Sequence, residues 1–316
     1  MGFNRCLIVF MAMLLARCDN GEPTGGSALV DGSNTQLMVE DSSPNDGPEL
    51  GMAYAPDGVE IHYQVLGQKR SPGDPTLIFI HGWSCSISFW RDQLEVFSQT
   101  HRVVALDLGG HGQSGVDREV WRVAGFGDDV AVVAKKLKLD NVILIGHSMG
   151  GPVALSAAQR LPGITKAVIG VDTLHDARVK FEPQQVGQMM AAFEADFDLS
   201  MKRFFEGLAG PTVSLVLQEW IVAEGRKANP QVATALLGDF ARLNTPDLLR
   251  NAAVPVRVIN AAATTIIAET QVAANREFAD FDAVIMEGVG HFLQLEQPEI
   301  FNQTLVQVIE GLENPN

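Results

Sequence analysis

The chain has 316 residues, 46% of them hydrophobic and 19% charged, with a formal net charge of −15. That apolar fraction excludes a chain disordered throughout. The acidic balance leaves little to neutralise nucleic-acid phosphates, so no nucleic-acid partner is expected, and three Cys cannot build a disulfide framework in this length.

The first 18 residues carry only two charges, Arg5 and Arg17, around an unbroken apolar run from Cys6 to Ala16. Spanning a bilayer takes about twenty residues, so this run is too short for a membrane helix; it fits the apolar region of a secretory signal over residues 1–18. Leu15-Ala16-Arg17-Cys18 resembles a bacterial lipobox, which implies lipidation at Cys18, with ordinary cleavage as the alternative. The expectation is an exported bacterial protein, periplasmic or a membrane-anchored lipoprotein, that meets the membrane only through that anchor. Residues 19–50 hold seven carboxylates and no Lys or Arg among Gly, Ser, Asn and Pro, and read as an acidic, disordered tether.

From residue 51 onward strands and helices alternate. Val59–Leu66 reads as an early strand. Thr76–Ile80, Arg102–Leu106, Asn141–Ile145, Lys166–Val171, Val256–Ile259 and Ala283–Met286 are short apolar runs, the pattern of strands covered on both faces. Helices are expected over Asp128–Leu137, Met149–Leu161, Glu269–Phe278 and Pro298–Leu312. This alternation predicts an α/β architecture with a mostly parallel, doubly wound sheet. Residues 175–250 break the pattern with apolar residues at helical spacing, and are expected to form a helical lid inserted between strands six and seven (166–171 and 256–259).

Gly146-His147-Ser148-Met149-Gly150 lies between an apolar strand and an amphipathic helix, the context that a G-x-S-x-G nucleophile elbow requires. Glycines flank the serine because the strand-to-helix turn leaves no room for side chains there. The amide of Met149, at a helix N-terminus, is placed to meet a developing oxyanion. A dinucleotide fingerprint at Gly110, Gly112 and Gly115 is formally present, but no helix opens directly inside it.

With His81-Gly82-Trp83 after one strand, Asp107–Ser114 after the next and Gly288-Val-Gly-His291 after the last, the chain from about Ala53 onward resembles the α/β-hydrolase superfamily. The resemblance implies a serine hydrolase needing no metal or organic cofactor. It makes Ser148 the nucleophile, His291 the base, and the amides of Trp83 and Met149 the oxyanion donors. His81 is expected to brace the oxyanion turn. Most family members carry the acid after the penultimate strand, yet here Asn260 to Ala268 holds no carboxylate. Asp172, ending the strand after the elbow helix, is the expected acid, with Asp176 a weaker candidate and Glu269 expected to start a helix instead.

The substrate is expected to be a small-molecule carboxylic ester with a small or medium hydrophobic acyl group, held by Phe89, Trp90, Met189, Phe193 and Trp220. A lactone of the acyl-homoserine type, a cofactor-free haloperoxidase or perhydrolase reaction, and a ligand-binding protein on a retained fold are the alternatives.

Overall fold

The computed structural model describes residues 47–313 apart from 70, 72, 181 and 263–268. The expected signal, most of the expected tether and Cys18 lie outside the described residues. Eight strands form one sheet in the order β1-β2-β4-β3-β5-β6-β7-β8: β1 Glu49–Tyr54, β2 Glu60–Leu66, β3 Thr76–Ile80, β4 Val103–Leu106, β5 Val142–His147, β6 Thr165–Val171, β7 Val256–Ala261 and β8 Phe281–Met286. The first two pairings of that order, β1 with β2 and β2 with β4, are antiparallel, and the rest are parallel. Every residue of β3, β4 and β5 is buried, as their unbroken apolar character requires.

Between the strands run α1 Arg91–Ser98, α2 Val123–Lys136 and α3 Gly150–Arg160, and after β7 come α9 Glu269–Arg276, α10 Leu293–Glu296 and α11 Pro298–Glu313. Between β6 and β7 stand the five inserted helices: α4 Pro183–Ala195, α5 Phe197–Leu208, α6 Leu215–Gly225, α7 Pro230–Phe240 and α8 Thr245–Ala252. Their starts are written in sequence. Asp196, Ser214 and Asn229 each accept a hydrogen bond from a first-turn amide, and Pro230 occupies the first turn of α7 where no donor is needed. Helix α4 packs on α7 and α5 on α6, while α8 rests against α3.

Two apolar clusters lie on opposite faces of the sheet. The larger includes Ile78, Ile80, Val104, Leu106 and Leu144 with α2, α3 and the inserted helices. The smaller joins Leu77, Phe79, Ile143, Ile145, Ile169 and Val171 to Trp90, Phe97 and the face of α11. Fully burying such side chains contributes about 1.5–3 kcal/mol each.

Two elements depart from the sequence reading. Strand β1 starts at Glu49, inside the stretch assigned to the tether. Its large residues Leu50, Met52 and Tyr54 are exposed and its small Ala53 is buried, so its pattern runs opposite to that of an ordinary half-buried strand. Helix α1 was not expected either; its buried residues Gln93, Leu94 and Phe97 form a narrow stripe in a polar segment.

Candidate active site

The elbow is as tight as its glycines suggest. Ser148 has φ +53°, in the left-handed region, and its amide donates to Val171 O at 2.9 Å, tying the turn to β6. A Cβ on Gly146 would lie 2.1 Å from Gly150 O, and one on Gly150 would lie 2.5 Å from Ile80 O. Both positions therefore exclude any side chain. A Cβ on Gly82 would lie 3.2 Å from Ser148 Cβ, so the His81-Gly82-Trp83 turn abuts the serine.

The amides of Trp83 and Met149 both belong to this junction, and among the described residues neither donates a hydrogen bond. Met149 is buried, and buried backbone donors are almost always paired. Two such amides beside one serine have the chemistry of an oxyanion site. His81 braces the turn as expected. Its Nδ1 donates to Gly82 O at 2.8 Å and its Nε2 accepts from the Leu108 amide at 3.0 Å. Burial keeps the ring neutral by pushing its pKa down to about 4. Asp107 organises its own turn, its carboxylate accepting from the amides of Ile87 and Gln113. Cys85 is buried, and burial pushes its thiol up, so it carries no nucleophilic thiolate.

The turn after β8 and the segment after β6 bring His291 and Asp172 together: His291 Nδ1 lies 2.5 Å from Asp172 Oδ2. Burial alone would raise the Asp172 pKa. The hydrogen bonds from His175 and His291 outweigh it and hold the carboxyl below the usual carboxylate range. Asp172 is therefore an anion, and Nδ1 of His291 donates to it. The other carboxylate oxygen accepts from the Ala261 amide at 2.9 Å and faces His175 Nε2 at 3.3 Å.

His147, next to the serine, is not a rival base. Its Nε2 donates to the His291 carbonyl at 2.8 Å, and burial pushes its pKa down to about 3. It holds the backbone of His291 while remaining neutral. Asp176 points to Arg178, which donates to both of its oxygens, and Glu269 opens α9.

Asp172 (φ +44°) and Leu174 (φ +53°) both occupy the left-handed region. Two buried amides hold this strained segment. Asn260 accepts from the Thr173 amide and donates to Thr173 O, both at 3.0 Å. Asn275 donates to Leu174 O at 2.8 Å and accepts from the Ala177 amide at 2.9 Å. Asn260 thus stands near the end of β7 and holds the segment that carries Asp172 at the end of the neighbouring strand. His175, Asn260 and Asn275 were not singled out in the sequence. His175 had one local signal, its spacing of three from Asp172.

The aromatic residues divide. Trp83 packs edge-on against Phe193 and Phe204 of the inserted helices, with its indole N–H donating to Ala233 O at 3.0 Å. Phe89 lies between Trp220 and Phe292, and Met189 is buried in the same cluster. Trp90 is a correction to the expected pocket. It is fully buried on the opposite face of the sheet, edge-on to Phe79, because the short 3-10 turn Ile87–Trp90 sends successive aromatic residues to opposite sides.

A family model described as the alpha/beta hydrolase family matches residues 77–304. A non-heme chloroperoxidase of Streptomyces lividans is 26% identical over 280 residues, covering 83% of this chain and all of that one. An esterase from Exiguobacterium antarcticum superposes with a TM-score of 0.73 at 19% identity, over 82% of this chain and 98% of that chain. An N-acyl homoserine lactone degrading enzyme does so with a TM-score of 0.68 at 22% identity, over 81% and 99%. The eight-stranded sheet, the elbow between β5 and α3 and the matched residues together make this chain a member of the alpha/beta hydrolase family.

Proposed function

We propose that the protein is a serine hydrolase that cleaves a carboxylic ester with a small or medium hydrophobic acyl group through an acyl-enzyme. The observation that carries this reading is the 2.5 Å contact of His291 Nδ1 with the buried anion of Asp172, at the same sheet edge as the strained Ser148. Ser148 Oγ attacks the ester carbonyl carbon while its proton passes to His291 Nε2. The amides of Trp83 and Met149 hold the oxyanion, and one such donor is typically worth about 3–4 kcal/mol of barrier. As the intermediate collapses, His291 protonates the leaving alkoxide. It then takes a proton from water, which attacks the acyl-enzyme, and returns that proton to Ser148 Oγ as the bond to the acyl carbon breaks and the acid is released. Phe89, Met189, Phe193 and Trp220, on the inserted-helix side of the sheet, support an apolar acyl group.

Likeness to a lactone-degrading enzyme and to a chloroperoxidase favours a second reading, in which the same machinery opens a lactone or passes the acyl group to peroxide. The test is a panel of chromogenic esters of rising chain length, acyl-homoserine lactones, and acetate with hydrogen peroxide, run beside Ser148→Ala. Ester turnover that disappears in Ser148→Ala is expected; full activity in that variant overturns the serine mechanism. Faster lactone or peroxide turnover favours the second reading, and tight binding without turnover favours a ligand-binding protein.

A further inference from the structure

Glu296, the last residue of α10, lies five positions beyond His291, and its carboxylate serves backbone rather than solvent. Oε2 accepts from the Gly290 amide at 2.7 Å, and Oε1 accepts from the amides of Gly210 at 3.2 Å and Phe292 at 3.3 Å. Gly290 and Phe292 are the two neighbours of His291. Gly210 belongs to the linker between α5 and α6 in the inserted helices. The end of α5 and that linker each meet the histidine turn once more, where the His291 amide donates to Leu208 O at 3.0 Å and Thr212 Oγ1 donates to Gly288 O at 3.0 Å.

The two segments approach so closely that neither tolerates a side chain. A Cβ on Gly210 would lie 2.2 Å from Glu296 Oε2 and 2.3 Å from Gly290 N, and one on Gly290 would lie 2.2 Å from Gly210 N. A carboxylate can take three such donors because both of its oxygens only accept. A glutamine would turn an NH₂ toward at least one N–H, donor against donor.

We propose that Glu296 is a positioning residue that fastens the inserted helices, at Gly210, to the two amides flanking His291, so that seating of those helices and orientation of the base are one event. The proposal rests on the reading of His291 as the base. Burial raises the Glu296 pKa, and the three backbone hydrogen bonds and the neighbouring His291 work against that rise. The other titratable groups around the His291 ring are Asp172 and His175 from the segment after β6, and His147 at the end of β5.

Glu296→Gln and Gly210→Ala in the whole chain test this from both sides of the contact, the second by a methyl that would press on Glu296 Oε2 and Gly290 N from the side of the inserted helices. The first readout is the far-downfield proton resonance of the His291 Nδ1–H bonded to Asp172; both variants are expected to shift or broaden it. The second is kinetics on a short and a long acyl ester. For both esters kcat is expected to fall about 10- to 100-fold, the scale of a misplaced catalytic group, with KM changing less than about threefold. In Glu296→Gln the acid limb of the kcat/KM profile is expected to move to lower pH, because a neighbouring anion that favours the imidazolium is gone. An unmoved resonance, with kcat intact on the short ester and only KM raised on the long one, would overturn the proposal and leave Glu296 a mere brace of the inserted helices. If Glu296→Gln does not fold, Gly210→Ala decides alone, and wild-type resonance and kcat in it overturn the proposal. If the wild type cleaves no ester, the hydrolase reading fails while the resonance still judges the contact.

Discussion

Residues 172–177 follow β6 and residues 287–292 follow β8, on either side of β7, and the two segments are held by opposite chemistry. The first carries the proposed acid and is gripped by the neutral amides of Asn260 and Asn275. The second carries the proposed base and is gripped by the carboxylate of Glu296. The difference follows from the charge each segment must bear. A second buried anion beside Asp172 would raise the cost of its ionisation, whereas amide side chains supply donors and acceptors with no net charge. Beside His291 the requirement is reversed, since the ring passes through a cationic state that an anion favours. Supports are thus matched to the group they hold, and substitutions on the two sides should fail in different ways.

The largest effect is expected at the acid itself. Asp172→Asn keeps the shape and suits the left-handed backbone, which asparagine tolerates better than most residues. It removes the anion that fixes the tautomer of His291. We expect kcat on a chromogenic ester to fall about 10⁴-fold, as for an equivalent change in a serine-protease triad, with an unchanged circular dichroism spectrum. A fall below tenfold would remove Asp172 from the mechanism.

One step outward, Asn260→Ala leaves the Thr173 amide and carbonyl buried without a partner. Each of the two orphaned groups costs about 1–3 kcal/mol, so a loss of about 2–6 kcal/mol in urea unfolding is expected. Because the segment it held includes two left-handed residues, activity should fall about 10- to 100-fold as well. The contrast lies in the pH profile: its acid limb should stay in place here, since no charge was removed, while it moves in Glu296→Gln. An equal shift in both variants would erase the distinction between neutral and charged supports.

Much of this arrangement was legible before the fold. The apolar strands, the elbow, His291 in its glycine turn and Asp172 at a strand end all follow from local pattern. The supports do not. Asn260 and Thr173 are 87 positions apart and meet only because β7 pairs with β6. Asn260 marked the absence of a carboxylate in the sequence, with no sign of what it bonds. Glu296 was visible only as a charge closing the short stretch Phe292-Leu-Gln-Leu295, and its partner Gly210 lies 86 positions away in the inserted helices. Trp90 went to the wrong face because adjacent aromatic residues in a 3-10 turn carry no periodicity that separates one side of a sheet from the other. Strand β1 was hidden by its inverted pattern, large residues outward and small ones inward.

A third environment, of imidazoles kept uncharged by burial, lies at and after the ends of β3, β4 and β5. The pKa of His81 is pushed down to about 4, and those of His111 and His147 to about 3. In the unfolded chain each would take up a proton below about 6.5. Between that value and the folded one the unfolded state binds more protons, so stability is lost as pH falls, by about 1.4 kcal/mol per pH unit for each ring. Asp172 acts in a separate window. Its folded pKa lies below the ordinary carboxylate value near 3.8, so the stability it contributes is present above that value and is lost only in stronger acid. Urea midpoints should therefore drop from pH 7.5 to 5.5, and His111→Gln should flatten that slope by one ring's share. A midpoint that is level across this range would mean that the buried rings are not neutral.

The smallest effect separates two carboxylates of the acid segment itself. Asp176 lies four residues beyond Asp172 and, like it, has a lowered pKa, but the first cause is the hydrogen bond from Arg178. That guanidinium donates to Oδ1 at 3.0 Å and Oδ2 at 2.9 Å and is half exposed, so its charge is already solvated. The Asp176 carboxylate is itself largely covered, but because its partner is open to solvent the pair is expected to be worth about 1 kcal/mol or less. Asp176→Asn should accordingly change kcat/KM less than about twofold and unfolding by less than about 1 kcal/mol. The two aspartates share a segment and the direction of their shift, so neither nearness to β6 nor a lowered pKa distinguishes them. What does is the partner: a buried imidazole that must gain a proton during turnover makes one carboxylate indispensable, and a permanently charged surface guanidinium makes the other dispensable. A loss in Asp176→Asn comparable to that in Asp172→Asn would show that partner identity does not assign the acid.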